Sequence, residues 1–204
     1  MTEAAQEASE PTRKRPKPGE RRLQILQAIA SMLEEGEAER VTTAALAAKL
    51  QVSEAALYRH FASKAQMFEG LLEFIEQTVF GLINQIEASS DDGPRKAGAI
   101  VSMLLGFAEK NPGMTRVLVG EAIVFEHARL QQRVNQLLDR VEASLRQVLK
   151  LQEAAGQSTE VRLDPTTKAS LAMGFVMGRW LRFAKSGFKA KPSDQATEIL
   201  AGLF

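Results

Sequence analysis

Cysteine is absent from the 204 residues, so disulfides, thiolate metal sites and cysteine nucleophiles are excluded together. Histidine is nearly absent too: His60 and His127 are the two, far apart in the chain, and no glycine-rich phosphate loop, metal-ligand spacing or nucleophile motif accompanies them. An enzyme is therefore not expected, nor a metal, nor a cofactor. No apolar run approaches bilayer length, and the N-terminus is acidic and then basic with no hydrophobic segment behind it. Neither anchor nor signal peptide is read, and a cytoplasmic protein is the simplest expectation. Aromatic residues make up only 6%, yet hydrophobic residues reach 45%, enough for one or two cores.

Net charge is small, +1, but unevenly divided. Between residues 13 and 64, ten basic residues (Arg13, Lys14, Arg15, Lys17, Arg21, Arg22, Arg40, Lys49, Arg59, Lys64) stand against six acidic ones (Glu20, Glu34, Glu35, Glu37, Glu39, Glu54), a balance of +4. The first dozen residues carry Glu3, Glu7 and Glu10. A positive excess confined to one segment is what a polyanion-binding unit requires.

Within that segment Leu46, Ala47 and Leu50 fall at helical spacing behind Thr42, whose side chain accepts from the free amides of a first turn. Gln51 and Val52 break the pattern. Ser53 is a second cap, and Ala56, Leu57 and Phe61 begin another short apolar stripe. Two short helices across a tight turn make a helix-turn-helix, whose second helix enters a DNA major groove. The spacing also fits an ordinary helical hairpin inside a bundle, and the exposed face favours DNA. Tyr58, Arg59, His60 and Lys64 offer a phenol, two cations and an imidazole to a phosphate backbone. Ser53, Glu54, Ala55 and Ala56 lead the recognition helix, so methyl contacts from the alanines and polar readings from Ser53 or Glu54 are expected, with help from Thr42 or Thr43. Leu57 and Phe61 read as core; the alternatives are a half-buried aromatic for Tyr58 and a plain surface histidine for His60.

The remaining chain reads as all-α. Residues 1–19 hold three prolines and no apolar periodicity, a disordered basic arm that either follows the duplex or merely solubilises. Residues 21–35 form a helix with the stripe Leu23, Leu26, Ile29, Ala30 and Leu33, ended by Gly36, and complete a three-helix DNA-binding domain over residues 20–63. Ser63 and Gln66 have capping-box spacing at the head of a long helix that enters a second domain, residues 64–204. A helix over 95–110 follows, then Asn111-Pro112-Gly113 as a turn, a short apolar piece over 114–119, and a long amphipathic helix from Glu121 to about Glu153. Residues 154–164 read as loop. Asp164 and Pro165 open a helix reaching about Ser186, in which Gly174 and Gly178 suggest close approach of another backbone. A last helix spans residues 195–204. The final two helices either close the monomer or meet their copies. A homodimer is favoured, because one small helix-turn-helix makes too few contacts for useful specificity.

The order Thr-capped helix, Leu-Ala, tight turn, Val-Ser, Leu-Tyr-Arg-His-Phe and Ser-Lys resembles the TetR family of DNA-binding regulators. That resemblance implies pairing through a four-helix bundle of the last two helices from each chain. Gln51 departs from the family, which usually has glycine at the turn, where positive φ is wanted; keeping that geometry with glutamine costs about 1 kcal/mol. The resemblance also implies an alternative function, a repressor controlled by a small apolar ligand, whose pocket would draw on Met103, Phe107, Met114, Phe125, Phe175, Met177 and Trp180. A methionine and aromatic set of this kind is more often a packed core than a pocket.

A narrower resemblance covers about residues 21–150. Val52 to Phe61, Met67-Phe68, Leu72 to Glu76, Leu105-Gly-Phe, Asn111-Pro-Gly-Met-Thr-Arg, Phe125-Glu, Asn135-Gln-Leu and the run from Glu142 to Leu149 look like the nucleoid occlusion branch of that family. Membership would imply a dimer on palindromic double-stranded sites, associated with the nucleoid, that engages the tubulin-like division protein FtsZ when bound to DNA. The residues carried over to the partner surface are Phe74, Gly106, Lys110 and Asn111, with Lys110 standing where the branch can have arginine, which keeps the charge and loses the planar fork. Phe74 lies off the Leu71, Ile75, Val79 stripe and is either exposed for a partner or buried against a neighbouring helix.

Overall fold

A computed structural model of the chain describes residues 19–35, 41–123, 128–153 and 163–204. The basic arm, Gly36, Arg40, Phe125, His127 and most of the expected loop at 154–164 lie outside the described residues. Every regular element among those described is helical.

The first three helices are α1 (Glu20–Glu35), α2 (Thr43–Leu50) and α3 (Glu54–Tyr58). The expected caps hold them: Thr42 Oγ1 accepts from the Ala45 amide at 3.1 Å and Ser53 Oγ from the Ala56 amide at 3.3 Å. Between them Gln51 adopts φ 54°, ψ 48°. The Gln51 amide donates to the Ala48 carbonyl and the Val52 amide to the Ala47 carbonyl, both at 3.0 Å, which is the paired closure of a left-handed C-cap. The turn therefore keeps the glycine-type geometry without glycine.

Helix α4 (Lys64–Glu87) leaves this unit with Ser63 as cap; the Gln66 amide donates to Ser63 Oγ at 3.2 Å, while Gln66 Oε1 accepts from the Ala62 amide at 2.9 Å rather than from that of Ser63. Helix α5 (Gly93–Lys110) returns antiparallel, followed by α6 (Pro112–Leu118), a 3₁₀ turn (Glu121–Ile123), α7 (Ala128–Glu153), α8 (Pro165–Lys185) and α9 (Ala196–Leu203). Ile25, Ile29, Leu46, Leu57 and Phe61 of the first unit join Phe68, Leu71, Ile75, Leu104, Val134 and Trp180 in one continuous buried cluster, so the two parts share a core through the start of α4.

Two expectations are corrected. Asn111-Pro112-Gly113 is not a turn ahead of a helix but its beginning: Pro112 takes the first helical position, where a missing N–H costs nothing, and the Asn111 carbonyl accepts from the Thr115 amide and hydroxyl, both at 3.0 Å. The long helix expected from Glu121 does not include its first residues: Glu121–Ile123 is a separate 3₁₀ turn, and the helix is described over Ala128–Glu153. Gly120, at φ +84°, closes α6, and the short turn that follows is held by Glu121, which pairs with Arg116 at 3.8 Å and Lys185 at 2.6 Å.

Candidate nucleic-acid interface

Helix α3 is only five residues long, too short to be stable alone, and is fixed from three sides. Leu57 and Phe61 are buried beneath it. Gly70 of α4 admits the Phe61 ring, which a Cβ there would approach to 2.8 Å. Arg22 of α1 lays its guanidinium 4.2 Å above the Phe61 ring centre and donates from Nη1 to the His60 carbonyl at 3.2 Å, holding the C-terminal end. Arg22 was read as one of the general basic residues; its distance in sequence from His60 hid this positioning role.

On the outer side Ser53, Glu54 and Ala55 are exposed and Ala56 is half-buried. Thr43 Oγ1 donates to Glu54 Oε2 at 2.6 Å, so two of the expected base-reading residues bind each other across α2 and α3. That bond sets the relative position of the two helices and restrains the one carboxylate at the head of α3. Tyr58 is 45% exposed, which decides against the core reading, and Arg59 and His60 are exposed beside it. Lys64 follows as the first residue of α4, half-buried with its ammonium 5.7 Å from the Phe68 ring centre. Tyr58, Arg59, His60 and Lys64 thus gather around the junction of α3 with α4.

The charge of this unit is less positive than the whole segment implies. Among the described residues 19–64, Arg21, Arg22, Lys49, Arg59 and Lys64 face Glu20, Glu34, Glu35 and Glu54, leaving +1. Lys49 is moreover spent on Glu35, with Nζ 2.8 Å from Oε2. Its hydrogen bond, and then that of Ser31, hold the Glu35 carboxyl below its ordinary value. Most of the +4 excess belongs to Arg13, Lys14, Arg15 and Lys17 of the arm.

The residues carried over as a partner surface occupy the α4–α5 side of the second domain. Phe74 is half-buried against the core, Gly106 has no neighbour among the described residues within 4 Å of where a Cβ would stand, and Lys110 is exposed. Asn111 Nδ2 donates to the Phe107 carbonyl at 2.8 Å, so this side chain also closes the end of α5. Phe74 lies fourteen residues before the C-cap Ala88 and Gly106 fourteen after the N-cap Asp92. In an antiparallel pair they stand at one level, about 21 Å from the connecting loop.

Of the described residues considered for an inducer pocket, Met103, Phe107, Met114, Phe175 and Trp180 belong to or pack against the buried core cluster, as a packed core requires. Phe107, Met114 and Trp180 are buried, the Trp180 indole donating to the Leu104 carbonyl at 3.2 Å, whereas Met177 is 45% exposed. A cavity of about 360 Å³ between α4 and α7 is polar instead, lined by Glu76, Arg129, Gln132, Arg133, Gln136, Leu137 and Arg140.

Comparison with known proteins follows the same division. The family model described as bacterial regulatory proteins, tetR family, matches residues 25–71, and that described as Tetracyclin repressor-like, C-terminal domain, matches residues 95–201. Nucleoid occlusion factor SlmA of Aliivibrio fischeri (strain MJ11) is 43% identical over 187 residues, 91% of this chain and 95% of that protein. SlmA of Alteromonas mediterranea is 48% identical, covering 87% and 91%, and SlmA of Escherichia coli (strain K12 / DH10B) is 49% identical, covering 85% and 88%. Among solved structures, the regulator FadR from Bacillus subtilis in complex with stearoyl-CoA superposes with a TM-score of 0.73 at 16% identity, covering 89% of this chain and 96% of that one. AibR in complex with isovaleryl coenzyme A and operator DNA gives 0.71 at 15%, covering 91% and 98%; at such identities these two attest the fold alone.

Proposed function

This chain belongs to the TetR family and, within it, to the SlmA group of nucleoid occlusion factors; on that membership we propose that it binds palindromic chromosomal sites as a homodimer and, once on DNA, restrains assembly of the tubulin-like division protein FtsZ over the nucleoid. The observation that carries this reading is the reach of the similarity: identities of 43–49% extend over about nine-tenths of the chain, through the second domain as well as the helix-turn-helix.

On DNA, Ser53, Ala55 and Ala56 meet base edges, with Thr42 and the Thr43–Glu54 pair at the groove wall. Tyr58, Arg59, His60, Lys64 and the basic arm meet phosphates, which supply most of the affinity. Pairing is supported by α8. Leu171, Met177 and Leu181 are 49%, 45% and 45% exposed, and share one face with Gly174 and Gly178, whose Cβ positions meet nothing within 4 Å. An apolar helix face opened by glycines is fit for the same face of a second chain, and Ile199 of α9 is a further exposed apolar side chain. The division protein is received at Phe74, Gly106, Lys110 and Asn111, where the absent side chain of Gly106 leaves α5 open to an incoming segment. Because DNA and partner surfaces belong to different domains joined by a continuous core, duplex acts by favouring the dimer arrangement or density that grips the filament.

The test is co-sedimentation of Escherichia coli FtsZ with this protein, with and without a duplex selected from a random pool. Duplex-dependent loss of pelleted polymer is expected. Equal pelleting in both conditions rejects the reading.

A further inference from the structure

We propose that the loop between α8 and α9 forms a basic second half of the partner surface, in which Lys189 and Lys191 join Lys110 to hold an acidic stretch of the partner beside the segment received at Gly106. This rests on the partner surface proposed above and adds two cations to its Lys110.

The loop is built to hold one shape. Ser186 Oγ accepts from the amides of Lys189 at 3.1 Å and Ala190 at 2.9 Å. The Phe188 amide donates to the Phe183 carbonyl at 2.9 Å, the two rings lie 5.1 Å apart, and the Arg116 guanidinium sits 4.8 Å above the Phe188 ring. Pro192 is buried. Two non-glycine residues, Phe188 at φ 64° and Gln195 at φ 59°, occupy the left-handed region, next to Gly187 at φ 62°. Side chains avoid that region, and a surface loop that retains it twice has its conformation imposed by its surroundings.

Its position gives the rigidity a use. The Ser193 amide donates to Glu109 Oε1 at 2.8 Å, which pins the loop to the last turn of α5, one residue from Lys110 and two from Asn111. Lys110, Lys189 and Lys191 are all exposed, and none forms an ion pair among the described residues. Lys185 nearby is different, paired with Glu121 at 2.6 Å. The carboxylates at the loop are Glu109, already accepting from Ser193, and Asp194. Single exposed lysines are ordinarily just solvated. Three unpaired ones around a fixed loop, at the edge of an open helix face, form a preorganised cationic rim whose complement is a run of carboxylates.

The experiment uses the full chain, its selected duplex and Escherichia coli FtsZ, with binding measured at several salt concentrations. Lys189→Glu/Lys191→Glu is expected to weaken FtsZ binding roughly tenfold and flatten its salt dependence, while Lys189→Arg/Lys191→Arg binds as the parent does. Circular dichroism and dimer mass should be unchanged in both, and so should duplex affinity. Gly106→Asp serves as the control for the surface itself. Loss of binding in Gly106→Asp with parental binding and salt slope in the Glu pair overturns the loop proposal and leaves the partner surface standing. Parental binding in Gly106→Asp, or no binding by the parent, overturns the surface and the proposal with it. Weakened duplex affinity in the Glu pair would place the lysines on phosphates and likewise overturn it.

Discussion

The carbonyl oxygen of Ala30 in α1 fills the space where a side chain at Gly113 in α6 would begin: a Cβ there overlaps that oxygen and lies 3.2 Å from the Glu34 amide nitrogen. The backbones of the two domains therefore touch at this point, and no side chain can be inserted without moving one of them. Gly113→Ala is expected to cost about 3 kcal/mol, at the upper end of overpacking effects, because backbone rather than a flexible side chain must yield. Urea denaturation gives the loss, and duplex affinity should fall beyond the unfolded fraction, since α1 also carries Arg22. A variant as stable as the parent would show the joint to be adjustable.

Phosphate contacts carry no sequence information but release counterions. Lys64→Ala should weaken binding to all duplexes alike and reduce the slope of log affinity against log salt by about one charge. Tyr58→Ala should weaken binding with the slope nearly unchanged, because a phenol brings no charge. An unaltered slope in Lys64→Ala removes this ammonium, which already neighbours the Phe68 ring, from the phosphate contacts.

Gln51 holds φ 54° where glycine has no steric penalty. Gln51→Gly should stabilise the protein by up to about 1 kcal/mol, with the greater freedom of glycine in the unfolded chain taking back part of the gain. Thermal and urea midpoints test this. Destabilisation would mean that the glutamine side chain contributes more than the turn loses.

Where the chemistry is local, the sequence was readable. Thr42, Ser53, Ser63 and Asp164 each cap the helix whose start they announced, and Leu57 and Phe61 are buried as their spacing implied. Pro112-Gly113 suits a turn or a helix start alike, and here it opens α6, with Gly113 against the backbone of α1. The Thr43–Glu54 bond and the Arg22 contacts were invisible because they join residues eleven and thirty-eight positions apart. Gly174 and Gly178 imply a neighbouring backbone that none of the described residues supplies.

That missing backbone leads to a prediction about assembly. Leu171→Glu/Leu181→Glu places two carboxylates on the exposed apolar face of α8 without touching the monomer core. Sedimentation should give the mass of one chain where the parent gives two, with helicity retained and duplex affinity reduced toward that of a single half-site. A double variant that still sediments as a dimer would move the interface off this face.

The acid dependence of stability has a sign fixed at the head of α8. Asp164 accepts from the amides of Thr166 at 2.9 Å and Thr167 at 3.2 Å and from the Thr167 hydroxyl. The Thr167 hydroxyl, then the Thr167 amide, hold the carboxyl below its ordinary value. The folded state thus binds this proton less readily than the unfolded chain. Its contribution is fully present above the ordinary aspartate range and disappears as pH falls through the folded value. Glu35, lowered by Lys49 and Ser31, acts in the same direction. Thermal midpoints should therefore fall on acidification below the carboxylate range, and Asp164→Asn, which retains a capping oxygen without a titrating one, should flatten that fall. An equal acid slope in Asp164→Asn would assign the dependence to other carboxylates.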